Sequence, residues 1–320
     1  MSMIEALREA LAEEMRRDSS VIVMGEDVGV LGGIYRVTQG LLEEFGPERV
    51  RDTPISEEGF MGAAIGAAVT GLRPVVEIMY ADFLANCMNQ IVNFAAKMRY
   101  CSGGQLRVPV VVRTMVGHGR GHGGDHSQVP MTWFMNIPGL RLVAPSTPYD
   151  AKGLLKTAIR EDSPVLFFEP HLLYRVRGPV PEEEYTIPFG RADIKRRGED
   201  VTIVAVSAMV PRAVEAHERL REEGITAEVI DPRTLNPLDI ETIVESVKRT
   251  NRLITVEYSP KTGGVGAEIA ALVVERAFDY LDAPITRVAA PDVPVPVSPP
   301  LGRMTVPTVE EIVEAVEALL

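Results

Sequence analysis

The sequence predicts two doubly wound α/β domains, and three observations predict them. Short apolar runs of strand length alternate with longer stretches of helical spacing, the alternation occurs twice, and a stretch rich in prolines and charges separates the two series. At 320 residues the chain is long enough for two domains of ordinary size.

Ile4, Leu7, Leu11 and Met15 follow helical spacing, and Val21-Ile-Val-Met then reads as a short strand ending at Gly25-Glu26-Asp27. A strand running into glycines is how a dinucleotide fold begins. Here, however, Gly25, Gly29, Gly32 and Gly33 do not form G-x-G-x-x-G, and Glu26 and Asp27 would repel a pyrophosphate. A helix is expected over 38–45, a strand over 75–79, a long helix over 82–98 and a strand over 108–113. A strand at 140–143, a helix at 149–160 and a strand at 165–168 complete a layer of parallel strands. Between Glu169 and Asp200 come Pro179, Pro181, Glu182-Glu-Glu and Lys195-Arg-Arg, as in a connection between domains; the boundary is placed so that the domains are 1–188 and 189–320. The second series has strands at 201–206, 226–230, 253–256 and 285–288, with helices at 210–222, 238–248 and 265–280. Thr308-Val-Glu-Glu is a capping box opening a last helix that runs to Leu320.

Composition excludes several classes. A net charge of −12 argues against nucleic acid and anionic membrane surfaces as partners, since both would repel the chain. Cys87 and Cys101 form neither a disulfide framework nor a CxxC pair, which suits a reducing cytoplasm. Uncharged runs stop at about fourteen residues, short of a membrane span. The amphipathic start is rich in Glu, which neither a transit peptide nor a secretory signal would be.

The chemistry is expected to begin between Thr53 and Phe83. Ser56 is a good helix N-cap and Glu57 would sit in the first turn, where unpaired backbone donors and the helix dipole favour a carboxylate. From Gly59 to Leu72 fourteen residues carry no charge, and Gly62 and Gly66 point to close packing against another element or another subunit. Dehydration at such a place raises a carboxyl pKa, a useful property in a group that gives and takes a proton near neutrality. The alternative for Glu57 is a helix-start acid facing water.

Three of the five histidines, His118, His122 and His126, lie in the glycine-rich stretch from Gly117 to Gln128. Four-residue spacing gathers metal ligands only on a helix, which the interleaved glycines oppose. The stretch is instead expected to be a mobile loop that delivers His126 to a reaction centre.

Nearly the whole chain resembles the β subunits of the thiamine-diphosphate-dependent first component of 2-oxo acid dehydrogenase complexes. These belong to the transketolase-like family and include pyruvate, branched-chain 2-oxo acid and acetoin dehydrogenases. The resemblance is carried by Gly25-Glu-Asp-Val, Asp52-Thr-Pro-Ile-Ser-Glu, Gly71-Leu-Arg-Pro-Val, Ala95-Ala-Lys, His126-Ser-Gln, Pro138-Gly-Leu, Pro148-Tyr-Asp-Ala-Lys-Gly-Leu and Asp231-Pro-Arg-Thr-Leu-Asn-Pro-Leu-Asp. Single motifs of this kind are weak; eight in order are specific.

The resemblance implies a pyrimidine-binding domain followed by a transketolase-type C-terminal domain. Glu57 would hydrogen-bond the aminopyrimidine of thiamine diphosphate and relay its proton, with the cofactor as electron sink. Met79 and Phe83 match positions beside that ring, although Met79 also reads as core. His126 matches the histidine that faces substrate and the incoming lipoyl group. The family's Mg²⁺-diphosphate motif, Gly-Asp-Gly followed by Asn-Asn, is missing from this chain. Diphosphate and Mg²⁺ are therefore expected on an α subunit in an α2β2 assembly, and a lipoyl-bearing dihydrolipoyl acyltransferase core is the further partner. Some members bind K⁺ near the matches of Ala158, Glu161 and Ser163, but Glu161 and Ser163 replace the usual Asp and Asn. Around His126, Gly123-Gly-Asp replaces the commoner Ala-Ala-Gln; Asp125 either raises the histidine's pKa or points to water.

The small-molecule substrate is expected to be a 2-oxo acid, with pyruvate or acetoin favoured over branched-chain acids by Glu77-Ile-Met-Tyr-Ala-Asp-Phe, Arg113-Thr-Met-Val-Gly and Glu182-Glu-Glu-Tyr-Thr-Ile-Pro-Phe-Gly. Two readings from other classes stand beside it: a self-sufficient nicotinamide oxidoreductase, disfavoured by the missing fingerprint, and a non-catalytic scaffold subunit.

Overall fold

The computed structural model describes residues 1–118 and 121–320; Gly119 and Arg120, inside the glycine-rich stretch, lie outside the described residues. Two compact units result, Met1–Val116 with Trp133–Phe189, and Gly117–Thr132 with Gly190–Leu320.

The first unit contains β1 (Val21–Gly25), β2 (Val50–Asp52), β3 (Arg73–Ile78), β4 (Val111–Val116), β5 (Arg141–Val143) and β6 (Val165–Pro170). They run in the order β5-β6-β4-β3-β1-β2, and every pair is parallel. Parallel pairing sends the loop after each strand to the same edge, so the chain leaves β1, β2 and β3 side by side. The helices are α1 (Met3–Arg17), α2 (Leu41–Phe45), α3 (Glu57–Val69), α4 (Met98–Cys101) and α5 (Pro148–Arg160). α1 is fixed to α5 by apolar Leu7, Leu11, Leu154 and Leu155, all fully buried, and by a ladder of ion pairs. Lys152 Nζ lies 2.8 Å from Glu13 Oε1 and 3.0 Å from Glu9 Oε1, while Lys156 Nζ lies 2.5 Å from Glu13 Oε2. Lysines four residues apart on α5 meet glutamates four apart on α1, because i and i+4 share a helix face.

The second unit has β7 (Asp193–Arg196), β8 (Val201–Ala205), β9 (Ala227–Asp231), β10 (Thr234–Asn236), β11 (Leu253–Pro260) and β12 (Thr286–Ala290). Five of these form a sheet in the order β12-β11-β8-β9-β7, parallel except for β7, which lies antiparallel to β9 at the edge. Its helices are α6 (Val210–Glu222), α7 (Ile240–Thr250), α8 (Val265–Ala277), α9 (Pro299–Arg303) and α10 (Val309–Glu317). The Thr308/Glu311 capping box opens α10 as the sequence predicts.

Several elements differ from expectation. The long helix over 82–98 is three pieces: a 3₁₀ turn at Ala81–Ala85, a π-helical segment at Gln90–Ala95, and α4. Apolar spacing cannot separate hydrogen bonding to i+3, i+4 and i+5, and the neighbouring backbone intrudes here. Gly139 approaches so closely that a Cβ there would lie 2.1 Å from the Ala96 carbonyl oxygen. The helix over 38–45 shrinks to α2, because Gly40 takes a left-handed conformation at φ 86°. The helix over 265–280 ends at Ala277 and finishes as a 3₁₀ turn. β2, β7 and β10 lie outside the strands that the sequence predicts; Val-Arg-Asp, Asp-Ile-Lys-Arg and Thr-Leu-Asn carry too little apolar pattern to show.

Candidate active site

Glu57 is the first residue of α3 and is 8% exposed. The charge-free run after it explains the burial: Phe60, Met61, Ala64, Ile65 and Ala68 turn one side of α3 inward and carry the first turn with them. Ser56 occupies the N-cap position, but its hydroxyl makes no capping bond, so the expected cap is absent. The helix dipole still favours an acid at this end. Gly62 and Gly66 lie on the exposed side of α3, and nothing would come within 4 Å of a Cβ at Gly66. The close packing expected of them is therefore not made within this chain.

Met79 follows β3 directly and Phe83 lies in the 3₁₀ turn beyond it; both are half-buried. Tyr80 and Phe83 meet edge to face, with ring centroids 5.7 Å apart. β2 and β3 flank β1, so the segments that carry Glu57, Met79 and Phe83 leave the same edge of one sheet on either side of Glu26. Burial pushes the Glu26 carboxyl up from its ordinary range, and the charges of Glu57 and Asp27 push it the same way. Burial, helped by Glu57, raises the Cys87 thiol to about 12, so Cys87 stays protonated. The sequence identified neither as a neighbour of Glu57, because only the strand order places the loop after β1 beside α3. The Thr53 hydroxyl, on the way from β2 to α3, is buried with no hydrogen-bond partner among the described residues. A bound polar ligand at this edge would complete it.

Beneath that edge lies a second constellation that the sequence did not reveal. Glu77 of β3 sits opposite Arg113 of β4, and Arg113 Nη1 donates to Glu77 Oε2 at 2.8 Å. Arg113 Nε and Nη2 donate to the two oxygens of Glu169 on β6 at 2.7 and 2.9 Å, and the Tyr174 hydroxyl donates to Glu169 Oε2 at 2.7 Å. Burial opposes the Arg113 charge, but Glu169 and Glu77 outweigh it and hold the guanidinium firmly ionised. Charged residues inside otherwise apolar strands were the available signal.

His126 belongs to the second unit. Its Nδ1 lies 3.1 Å from Asp125 Oδ1, and the hydrogen bond to His126 holds the exposed Asp125 carboxyl below its usual range. The Ser127 hydroxyl beside it is buried with no partner among the described residues. His122 is exposed, its ring 6.5 Å from that of His126, whereas His118 is buried and bonded to Thr305. Among the described residues no group of three or more His, Cys, Asp or Glu side chains could hold a metal ion.

At the end of α5, Arg73 Nη1 donates to the carbonyls of Ile159 and Glu161, both at 3.0 Å. Glu161 Oε1 accepts from the backbone of Asp162 and Ser163 at 3.1 and 3.2 Å, and the Ala158 carbonyl accepts from Glu161 N at 3.3 Å. Of the residues named for K⁺, Glu161 thus has its carbonyl held by the Arg73 guanidinium and its Oε1 by backbone donors, and the Ala158 carbonyl accepts a backbone bond.

Comparison with known proteins agrees with this architecture. The family model described as "Transketolase, pyrimidine binding domain" matches residues 1–177, and the one described as "Transketolase, C-terminal domain" matches residues 190–312. A solved "split gene transketolase, inactive beta4 tetramer" is similar with a TM-score of 0.83 over 100% of this chain and 98% of its own, at 24% identity, which speaks for the fold alone. The chain is 48% identical to the β subunit of acetoin:2,6-dichlorophenolindophenol oxidoreductase from Bacillus subtilis, covering 100% of this chain and 97% of that one. It is 49% identical to the β subunit of the pyruvate dehydrogenase E1 component from Gracilaria tenuistipitata, covering 99% and 98%. The fold and the matched domains define a transketolase-type protein, and the chain belongs to the family of pyruvate and acetoin dehydrogenase β subunits within that class.

Proposed function

We propose that this chain is the β subunit of a 2-oxo acid dehydrogenase first component, with pyruvate as the leading substrate. Together with an α subunit in an α2β2 assembly it would carry out oxidative decarboxylation and reductive acylation of a lipoyl group on a dihydrolipoyl acyltransferase core. The observation that carries this reading is the buried Glu57 at the start of α3, at the carboxyl edge of a parallel sheet with Glu26 in its field. Bound thiamine diphosphate would supply the nucleophilic carbon and the electron sink. Glu57 would hold and return a proton at the aminopyrimidine, and Met79 and Phe83 would exclude water beside the ring. His126 would orient the acyl group and deliver a proton to the departing lipoyl sulfur. Mg²⁺ and the diphosphate are assigned to the α subunit. K⁺ is left out of the proposal, because the Arg73 guanidinium already occupies the Glu161 carbonyl.

The domains are taken as 1–188 and 189–320, which the family-model edges at 177 and 190 support. A cytoplasmic location is proposed from composition; none of the described helices is long and apolar enough to cross a membrane. Acetoin is the second substrate reading, favoured by the full-length similarity to an acetoin-oxidoreductase subunit. Co-purification with an α partner, followed by assays on a panel of 2-oxo acids and acetoin, tests both. Turnover of no member of the panel, or undiminished turnover by the α partner alone, would overturn the proposal.

A further inference from the structure

We infer that His118 is a positioning residue for His126, clasping the glycine-rich loop to the segment 294–305 through a hydrogen bond from its Nδ1–H to Thr305. The inference rests on the reading of His126 as the transfer histidine.

Thr305 Oγ1 donates to the Gly302 carbonyl at 2.8 Å and lies 2.9 Å from His118 Nδ1. A hydroxyl has one hydrogen, so with that hydrogen committed to Gly302 the oxygen accepts from the imidazole. The proton is therefore on Nδ1. His118 is 3% exposed and Thr305 4%, and burial lowers the His118 pKa to about 4, which keeps the ring neutral and this tautomer in place at neutral pH. The ring lies beside buried Tyr258 of β11, centroids 6.2 Å apart.

The described residues on either side of His118 are held as well. Gly117, at φ 109°, is where Tyr258 covers the start of the loop; a Cβ there would meet the ring at 2.8 Å. Gly123, at φ 79°, would meet Val297 Cγ2 at 3.0 Å, and Gly124 would meet Pro294 at 3.3 Å. Gly117 N also bonds the Gln128 carbonyl at 3.3 Å, closing the loop on itself across His126. Glycine-rich sequence alone would leave His126 wandering; one buried side-chain bond at His118 and backbone contact at Gly123 and Gly124 fix its base. A residue that touches neither substrate nor cofactor can thus set the orientation of one that does.

The test uses the reconstituted α/β enzyme and four variants: His118→Leu and Thr305→Val remove the bond, His118→Asn keeps a donor and Thr305→Ser an acceptor. Hydrogen exchange of the peptide spanning 117–128 should rise about five- to tenfold in His118→Leu and Thr305→Val, the factor for one lost hydrogen bond. The double variant should exchange no faster than either single. Reductive acylation should show a higher KM for a lipoyl domain, with decarboxylation read by an artificial acceptor changed less. The Asn and Ser variants should restore both readouts. Unchanged loop exchange in the two bond-removing variants would overturn the clasp. Raised exchange with unchanged acylation would overturn the positioning of His126. The underlying reading of His126 fails separately, if His126→Ala itself acylates normally.

Discussion

Arg113 grips Glu169 through two parallel hydrogen bonds of 2.7 and 2.9 Å between neighbouring strands of the first unit, with both side chains 1% exposed. A third bond from the same guanidinium, 2.8 Å to Glu77, ties it to the strand that runs out to Met79. Arg113→Met should therefore destabilise the chain by about 3–5 kcal/mol, because it leaves the buried Glu169 carboxylate without its cation and takes the same partner from half-buried Glu77. Urea unfolding followed by circular dichroism measures this. A loss below about 1 kcal/mol would show that the carboxylates find protons or water cheaply.

Glu57→Gln keeps the shape and a hydrogen bond but cannot hold and return a proton. Decarboxylation should fall by about 10²–10⁴-fold, with the α/β assembly intact by sedimentation. Activity within a few fold of wild type removes Glu57 from the chemistry.

His126→Ala should lose reductive acylation of a lipoyl domain by a larger factor than decarboxylation with an artificial acceptor. His122→Ala should change both little, as an exposed ring on the same loop. Equal losses in the two assays for His126→Ala count against a transfer role.

The isolated chain should bind thiamine diphosphate weakly, since the proposed Mg²⁺-diphosphate anchor is on the α subunit. Titration calorimetry with and without Mg²⁺ decides it, and tight Mg²⁺-dependent binding by this chain alone contradicts a split site.

Acid stability should show two windows. His118 titrates near 4 in the fold against an ordinary 6.5, so the unfolded chain takes the proton first; its contribution is complete above about pH 6.5 and lost as pH falls towards 4. Hydrogen bonds from Lys156 and then Arg160 pull Glu184 down to about 2 from 4.5, so its contribution is present above about pH 4.5 and lost as pH falls towards 2. His118→Asn should flatten the upper window of a urea-midpoint profile and Glu184→Gln the lower. Profiles parallel to wild type in both would show that neither group is coupled to folding.

Along the chain alone, the sequence shows the two α/β series, the acid at the start of a charge-free helix, the capping box at Thr308 and the family motifs. These are local: periodicity, caps and contiguous residues are visible along a chain. It also suggested His126 over its neighbours, through the motif that follows it. Which neighbours those residues have follows from packing instead. Strand order set Glu26 beside Glu57, and strand register set Glu77 against Arg113. The backbone at Gly139 pressed on Ala96 where one helix had been expected. His118 reads in sequence as one more loop histidine, but its partner is Thr305, 187 positions later. Hydrogen bonds and burial across such separations depend on how elements pack, and residue spacing within a segment carries no record of that.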